Sequence, residues 1–184
     1  ILLAALVPCI QADPIDEPTC VAGLSAAARR SPRSAYLWYE LARHRWTSEG
    51  SSPAVVDAFE RAIEADSGFV LARFAQGQAL AYLGRFDEAL ATIDECLRAV
   101  PGATACLHDR IWIHAELGDC EAVAEDARRW RAATPTDAIA YWYLASTALA
   151  RGDSLAAVGE LLRQAADRLT DAQRAFYAAR DRAL

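Results

Sequence analysis

Five cysteines and three histidines are the residues of this 184-residue chain best suited to holding a metal or attacking a substrate. Cys9, Cys20, Cys96, Cys106 and Cys120 include no Cys-x-x-Cys pair and no cysteine–histidine cluster at zinc spacing, so no metal site is expected. His108 and His114 are six apart and point in roughly opposite directions on a helix, and His44 is far along the chain. No serine or cysteine has a base in a recognisable constellation, and there is no glycine-rich phosphate loop. The expectation is a protein without catalysis or cofactor. The cysteines then serve either as small buried apolar residues or as cross-links. Cys96 ends one helical segment and Cys106 begins the next, and Cys9 and Cys20 are similarly spaced. Either pair can close a disulfide if its Cα atoms come within about 7 Å. Cys120 is left over, and two bridges would mean an oxidising compartment.

The elements that must position these residues are announced by four glycines, Gly50, Gly84, Gly118 and Gly152, spaced by 34 residues without insertion or deletion. Chance would place three further glycines on that spacing roughly once in ten thousand sequences. Between them the apolar residues recur at three- and four-residue steps, the mark of amphipathic helices. The first helices are expected at about 35–48, 69–83, 103–117 and 138–151, and their partners at about 53–65, 86–99, 120–133 and 154–168. A glycine between two helices supplies the positive φ that ends the first. Asp119 and Asp153 are placed to cap the second helix, as is Ser52 followed by Pro53. Columns repeat after each glycine: Val55, Ala89, Val123 and Ala157, then Phe59, Ile93, Ala127 and Leu161. Where Ala127 is small, Trp130 is available to fill the volume, and the columns decay at Gln164 and Leu169.

Ahead of the array, Ile1 to Gln11 is an uncharged apolar run with no initiator methionine before it, so a longer precursor is expected. It reads either as the end of a secretory signal or as the first helix of an incomplete repeat. Leu6-Val7-Pro8-Cys9 resembles a bacterial lipobox, which would make Cys9 a lipidation site, although Pro8 departs from the small residue that such signals carry there. A connector with Pro14 and Pro18 follows, then a helix from about Thr19 to Arg30. The expected layout is an N-terminal segment and leading helix over 1–34, four repeats over 35–169, and a capping helix over 170–184.

The column set resembles the tetratricopeptide repeat, a helix-turn-helix family of the same period. The residues that carry the likeness are Gly77-x-x-Leu80, Gly84, Ala89-x-x-x-Ile93-x-x-Cys96 and Pro101, together with Tyr141-x-x-Leu144-Ala145. Arg43 and Ile111 depart from the Gly77 and Ala145 column, and Arg73, Arg110 and His114 replace usual apolar residues. The resemblance implies an all-α fold, a right-handed α-solenoid of antiparallel helix pairs. It also implies a concave groove that receives a peptide or helix, lined by Leu37, Glu40, His44, Leu71, Phe74, Gln78, His108, Trp112, Ile139, Trp142 and Ser146. The set that grips a chaperone's terminal carboxylate in one subgroup is missing, since Glu40, His44, Ala75, Ala105 and Asp109 hold the matching columns.

The net charge of -6 is spread over mixed acids and bases, and Arg128-Arg129-Trp130-Arg131 is too short to be a nucleic-acid stripe. The expected partner is therefore a protein or peptide, not nucleic acid, with membrane contact only through a lipid anchor at Cys9. The leading expectation is an exported bacterial adaptor in the periplasm or envelope, with a cytoplasmic protein as the alternative. A subunit of a larger assembly, with Trp38, Trp46 and Trp130 buried in it, is a second class. An enzyme would need a catalytic domain upstream.

Overall fold

The structure, a computed structural model, describes Cys9, residues 17–171 and residues 173 and 174. The apolar run at the N-terminus apart from Cys9, and the expected capping helix beyond 174, lie outside the described residues. The described chain is α-helical: α1 (Glu17–Arg30), α2 (Ala35–Glu49), α3 (Pro53–Ala65), α4 (Val70–Tyr82), α5 (Phe86–Ala99), α6 (Thr104–Glu116), α7 (Cys120–Ala133), α8 (Ala138–Ala150) and α9 (Leu155–Asp167). It divides into two compact units, 1–101 and 102–184. The sequence suggests one continuous domain; the division falls at the joint between the second and third repeats. Repeat units contact their neighbours and little else, so a joint is where such an array divides. Within the first unit α1 packs on α2, α2 on α3, α3 on α4 and α4 on α5; within the second α6 packs on α7, α7 on α8 and α8 on α9.

The turns follow from backbone chemistry. Gly50, Gly84, Gly118 and Gly152 have φ between 72° and 78°, a region open to glycine and strained for other residues. At three of them the chain closes the same pair of bonds. Arg85 N–H donates to the Leu80 carbonyl at 3.0 Å while Gly84 N–H donates to Ala81 at 2.9 Å, and Asp119–His114 with Gly118–Ala115 and Asp153–Ala148 with Gly152–Leu149 repeat the pattern. These are Schellman closures, which satisfy carbonyls that a helix end leaves without partners. Gly50 is different, its N–H donating back to Trp46 within the last helical turn.

The second helices start on caps. Ser52 accepts from the Val55 N–H with Pro53 at the first helical position, and Asp119 accepts from Ala122 at 3.0 Å. Asp153 does not cap. Ser154 accepts from Ala157 instead, because α9 begins one residue later, and Asp153 binds Arg151 at 3.0 Å.

Burial follows the columns through three repeats: Val55, Ala89 and Val123 are buried, as are Phe59, Ile93 and Ala127 and then Ala62, Cys96 and Trp130. The fourth repeat departs. Ala157 is exposed, while Val158 and Ala165 are buried with Leu161 packed beside them, because these are the residues that α9 turns against α8. Trp130 fills space beside Ala127, and its indole N–H reaches Asp137 Oδ2 at 3.1 Å, so it is not an exposed aromatic. Trp38 and Trp46 are half-buried, Trp46 standing edge-on to Phe59 and Tyr82.

Gly77 lies where α4 and α5 pack tightly: a Cβ there would sit 2.7 Å from Ile93 Cγ1. Gly77→Val is expected to destabilise the protein by about 1–3 kcal/mol, the cost of overpacking a filled core. Urea denaturation followed by circular dichroism measures it. A neutral result would mean that Ile93 has room to turn away.

Candidate functional site

The face that would receive a partner is not equally open in all repeats. Leu37, Glu40 and His44 in α2 are buried. Helix α1 packs on α2, and its Glu17 Oε2 lies 2.9 Å from His44 Nδ1. These three residues are therefore covered by the chain itself and do not line a free groove. The sequence reading missed this because a leading helix looks the same whether it starts an array or covers its first repeat.

In α4 the corresponding face is open. Leu71 is 58% exposed, and Phe74 and Gln78 are half-buried. Gln78 lines a cleft of ≈ 310 Å³ with Arg43, Trp46 and Thr47. Tyr82, at the end of the same helix, is 64% exposed and stands edge-on to Trp46 with ring centroids 5.8 Å apart. The cleft combines one aromatic wall, Trp46, with one guanidinium, that of Arg43.

The second unit presents a different surface. His108 and Ser146 are exposed, and Trp112, Ile139 and Trp142 are half-buried. Trp142 packs against the Ala138, Tyr141 and Ala165 cluster, so part of it is core. His108 forms an aromatic triangle with Trp130 and Tyr143, with ring centroids about 6 Å apart. Beside it the carboxylate of Asp109 is buried, its Oδ1 3.3 Å from His108 Nδ1 and its Oδ2 without a hydrogen-bond partner among the described residues. Tyr143 lines a second cavity of ≈ 300 Å³, largely apolar, with Ala115, Cys120, Val123, Ser146, Thr147 and Ala150. Cys120 is an exposed free thiol.

The hydrogen bond that His108 donates to Asp109 raises the pKa of His108 above its ordinary value, and the charge of Asp109 adds to this against the opposing effect of burial. Burial, with Asp109 second, raises the Tyr143 phenol. Because the folded-state value of His108 is raised, its contribution to stability is fully present below the unfolded value of about 6.5 and is lost as pH rises through the folded value. The excess stability of wild type over His108→Gln should therefore shrink as pH climbs from about 6 to about 8. Thermal melts of both proteins across that range test it, and a constant difference would dismiss the His108–Asp109 interaction as a stabilising pair.

The charges that replace apolar residues in the first helices have partners in the second helices. Arg73 Nε donates to Glu95 Oε2 at 3.1 Å and its guanidinium also reaches the Ser67 carbonyl. Arg110 forks onto both carboxylate oxygens of Asp126, with Nε 2.7 Å from Oδ2. Sequence columns could flag Arg73 and Arg110 as departures, but the partners stand 22 and 16 residues on and share no column with them.

Cys9 and Cys20 are joined by a disulfide, with Cα atoms 5.0 Å apart. Cys96 and Cys106, both buried, are also in the disulfide form. The Cys9 sulfur cannot hold this bond and a lipid thioether together, so the lipidation expected there does not go with this structure. The two sulfurs also lie close to His44, although no metal-binding spacing links the three in sequence.

No protein-family model and no curated protein matches the chain. Solved structures do. MamA superimposes with a TM-score of 0.76 at 10% identity over 83% of this chain and 88% of that one. YrrB, a TPR protein with an unusual peptide-binding site, gives 0.72 at 18% identity over 98% and 90%. TTC0263, a thermophilic TPR protein of Thermus thermophilus, gives 0.62 at 16% identity over 89% of both. The chain thus has the tetratricopeptide-type fold, all-α and built of helix pairs.

Proposed function

We propose that this protein is a non-catalytic adaptor that holds an extended peptide or a helix of a partner protein, and that it works in an oxidising compartment of the cell envelope. The observation that carries the reading is α4 itself, which leaves Leu71 and Tyr82 largely exposed and whose Gln78 lines a cleft with Arg43, Trp46 and Thr47. Large apolar side chains left in water cost free energy that a partner's apolar segment recovers, and aromatic and arginine walls are the usual anchors of such contacts. The peptide-binding site named for YrrB, on the same fold, supports this choice of ligand. The disulfide state of Cys9, Cys20, Cys96 and Cys106 supports the compartment, since reducing cytosol keeps such pairs open. Among the described residues no helix is long and apolar enough to cross a membrane, so the envelope reading rests on the disulfides.

The test is selection of peptides from a displayed random library on the intact protein, followed by titration of the winners. Leu71→Glu and Phe74→Ala are expected to weaken binding about tenfold or more while helicity is retained. Peptides that bind both variants as well as wild type would refute the α4 site. A second reading, a subunit permanently buried in an assembly, is favoured by Leu149, Leu155 and Leu162, which are exposed on α8 and α9. That reading is preferred if the purified chain associates at micromolar concentration and selects no peptide.

A further inference from the structure

Beneath helix α1 lies a group of buried polar side chains that the adaptor reading does not use. Cys9, Cys20 and His44 are buried, and the two sulfurs and a ring nitrogen of His44 lie within 4.8 Å of one another. A disulfide is an apolar link and asks for no polar neighbours. Yet Glu17 Oε2 is 2.9 Å from His44 Nδ1 and Glu40 Oε2 is 3.8 Å from His44 Nε2, with the Glu40 side chain 8% exposed. Drawing the imidazole and the Glu40 carboxylate out of water against a pair of sulfurs costs free energy that a nearby cation offsets; Glu17 is less buried, its side chain 22% exposed. Arg43 is such a cation, its guanidinium 3.0 Å from Glu40 Oε2 and 3.4 Å from His44 Nε2, with its own side chain half exposed.

Two thiolates and an imidazole are the donors preferred by a divalent ion of the zinc class, with a fourth position for a carboxylate or water. Glu17, already hydrogen-bonded to the imidazole, is placed to orient the ring or to take that position. We propose that, when the Cys9–Cys20 bond is reduced, Cys9, Cys20 and His44 bind a zinc-class divalent cation, and that the disulfide is the oxidised, metal-free form of the same site. The reductant is a dithiol. Its thiolate attacks one sulfur of the bridge, and its second thiol resolves the mixed disulfide. Two electrons pass to the pair, the reductant leaves as its own disulfide, and Cys9 and Cys20 emerge as thiols. The cation then replaces the two thiol protons, which go to solvent. The site is separate from the open face of α4, so it stands or falls independently of peptide binding there; in the oxidising compartment proposed above the disulfide form prevails, and the metal form needs the dithiol.

The experiment uses the full chain, reduced with a dithiol, freed of reductant without oxygen and titrated with Co²⁺ as the spectroscopic probe. One cobalt per chain is expected, with a thiolate-to-cobalt charge-transfer band and the strong visible bands of a tetrahedral ion, both removed by Zn²⁺; the oxidised chain should show neither. Cys20→Ser is expected to lose the charge-transfer band, and His44→Ala to weaken binding by about tenfold or more. Because either variant can disturb folding, zinc protection of the reduced wild type is measured as well: alkylation of Cys9 and Cys20, mapped by mass, should slow about tenfold on adding zinc while Cys120 reacts unchanged. A reduced, helical chain that takes up no cobalt and gains no protection overturns the proposal. So does a cobalt spectrum indifferent to both substitutions.

Discussion

Replacing Asp126 by alanine should destabilise the protein by about 3–5 kcal/mol, the cost of breaking a largely buried ion pair by removing one member. Asp126 is 3% exposed and receives both arms of the Arg110 guanidinium, whose side chain is 13% exposed. Arg129, at 3.7 Å from Asp126 Oδ1, is more exposed and adds less. Removing the carboxylate takes from Arg110 the group that both arms of its guanidinium meet on α7. The companion experiment is the double replacement Arg110→Met with Asp126→Leu. An apolar pair of similar volume should recover most of the loss, because the intact ion pair carries its own desolvation cost. Urea denaturation of the three variants decides the matter. A loss below about 1 kcal/mol for Asp126→Ala would mean that Arg110 swings freely to solvent.

Phe59→Ala should cost a similar amount, about 3–5 kcal/mol, for a different reason. Phe59 is 1% exposed in α3, with Tyr39 and Trp46 of α2 packed on it at 5.9 and 6.2 Å between ring centroids. Tyr39 in turn packs on Phe69 at 5.1 Å, so one ring holds several aromatics in place. Truncation loses the transfer free energy of the ring, opens a cavity and removes the aromatic contacts, each of these contacts worth about 0.5–1.5 kcal/mol. Trp46 also walls the cleft beside α4. Phe59→Ala is therefore expected to loosen the proposed peptide site as well as the core, read as weaker binding of the selected peptides at temperatures where the variant is still folded. Full stability in Phe59→Ala would show that neighbouring rings collapse into the space.

The helices and their turns were legible in the sequence because their causes are local. Positive φ at Gly84, Gly118 and Gly152, the closures behind them, and caps such as Asp119 and Ser52 depend on residues within a turn or two of one another. Asp153 and Ser154 show the margin of such reasoning: both residues can cap, and the start of α9 chose the second. The candidate site was less legible. Leu71, Phe74 and Gln78 could be placed by column, but the same columns put Leu37, Glu40 and His44 in a groove, and α1 buries them.

By itself, then, the sequence determined a 34-residue helix-pair repeat and the columns that make its core, because period and apolar spacing are properties of the chain alone. Tertiary structure decided what depends on meetings between distant segments. Arg110 found Asp126, and Glu17, Cys9 and Cys20 were gathered around His44. Of two equivalent helix faces, it covered the one on α2 and left the one on α4 in water. A side chain's partners across a helix interface are set by packing angle and depth, which no spacing in the chain records.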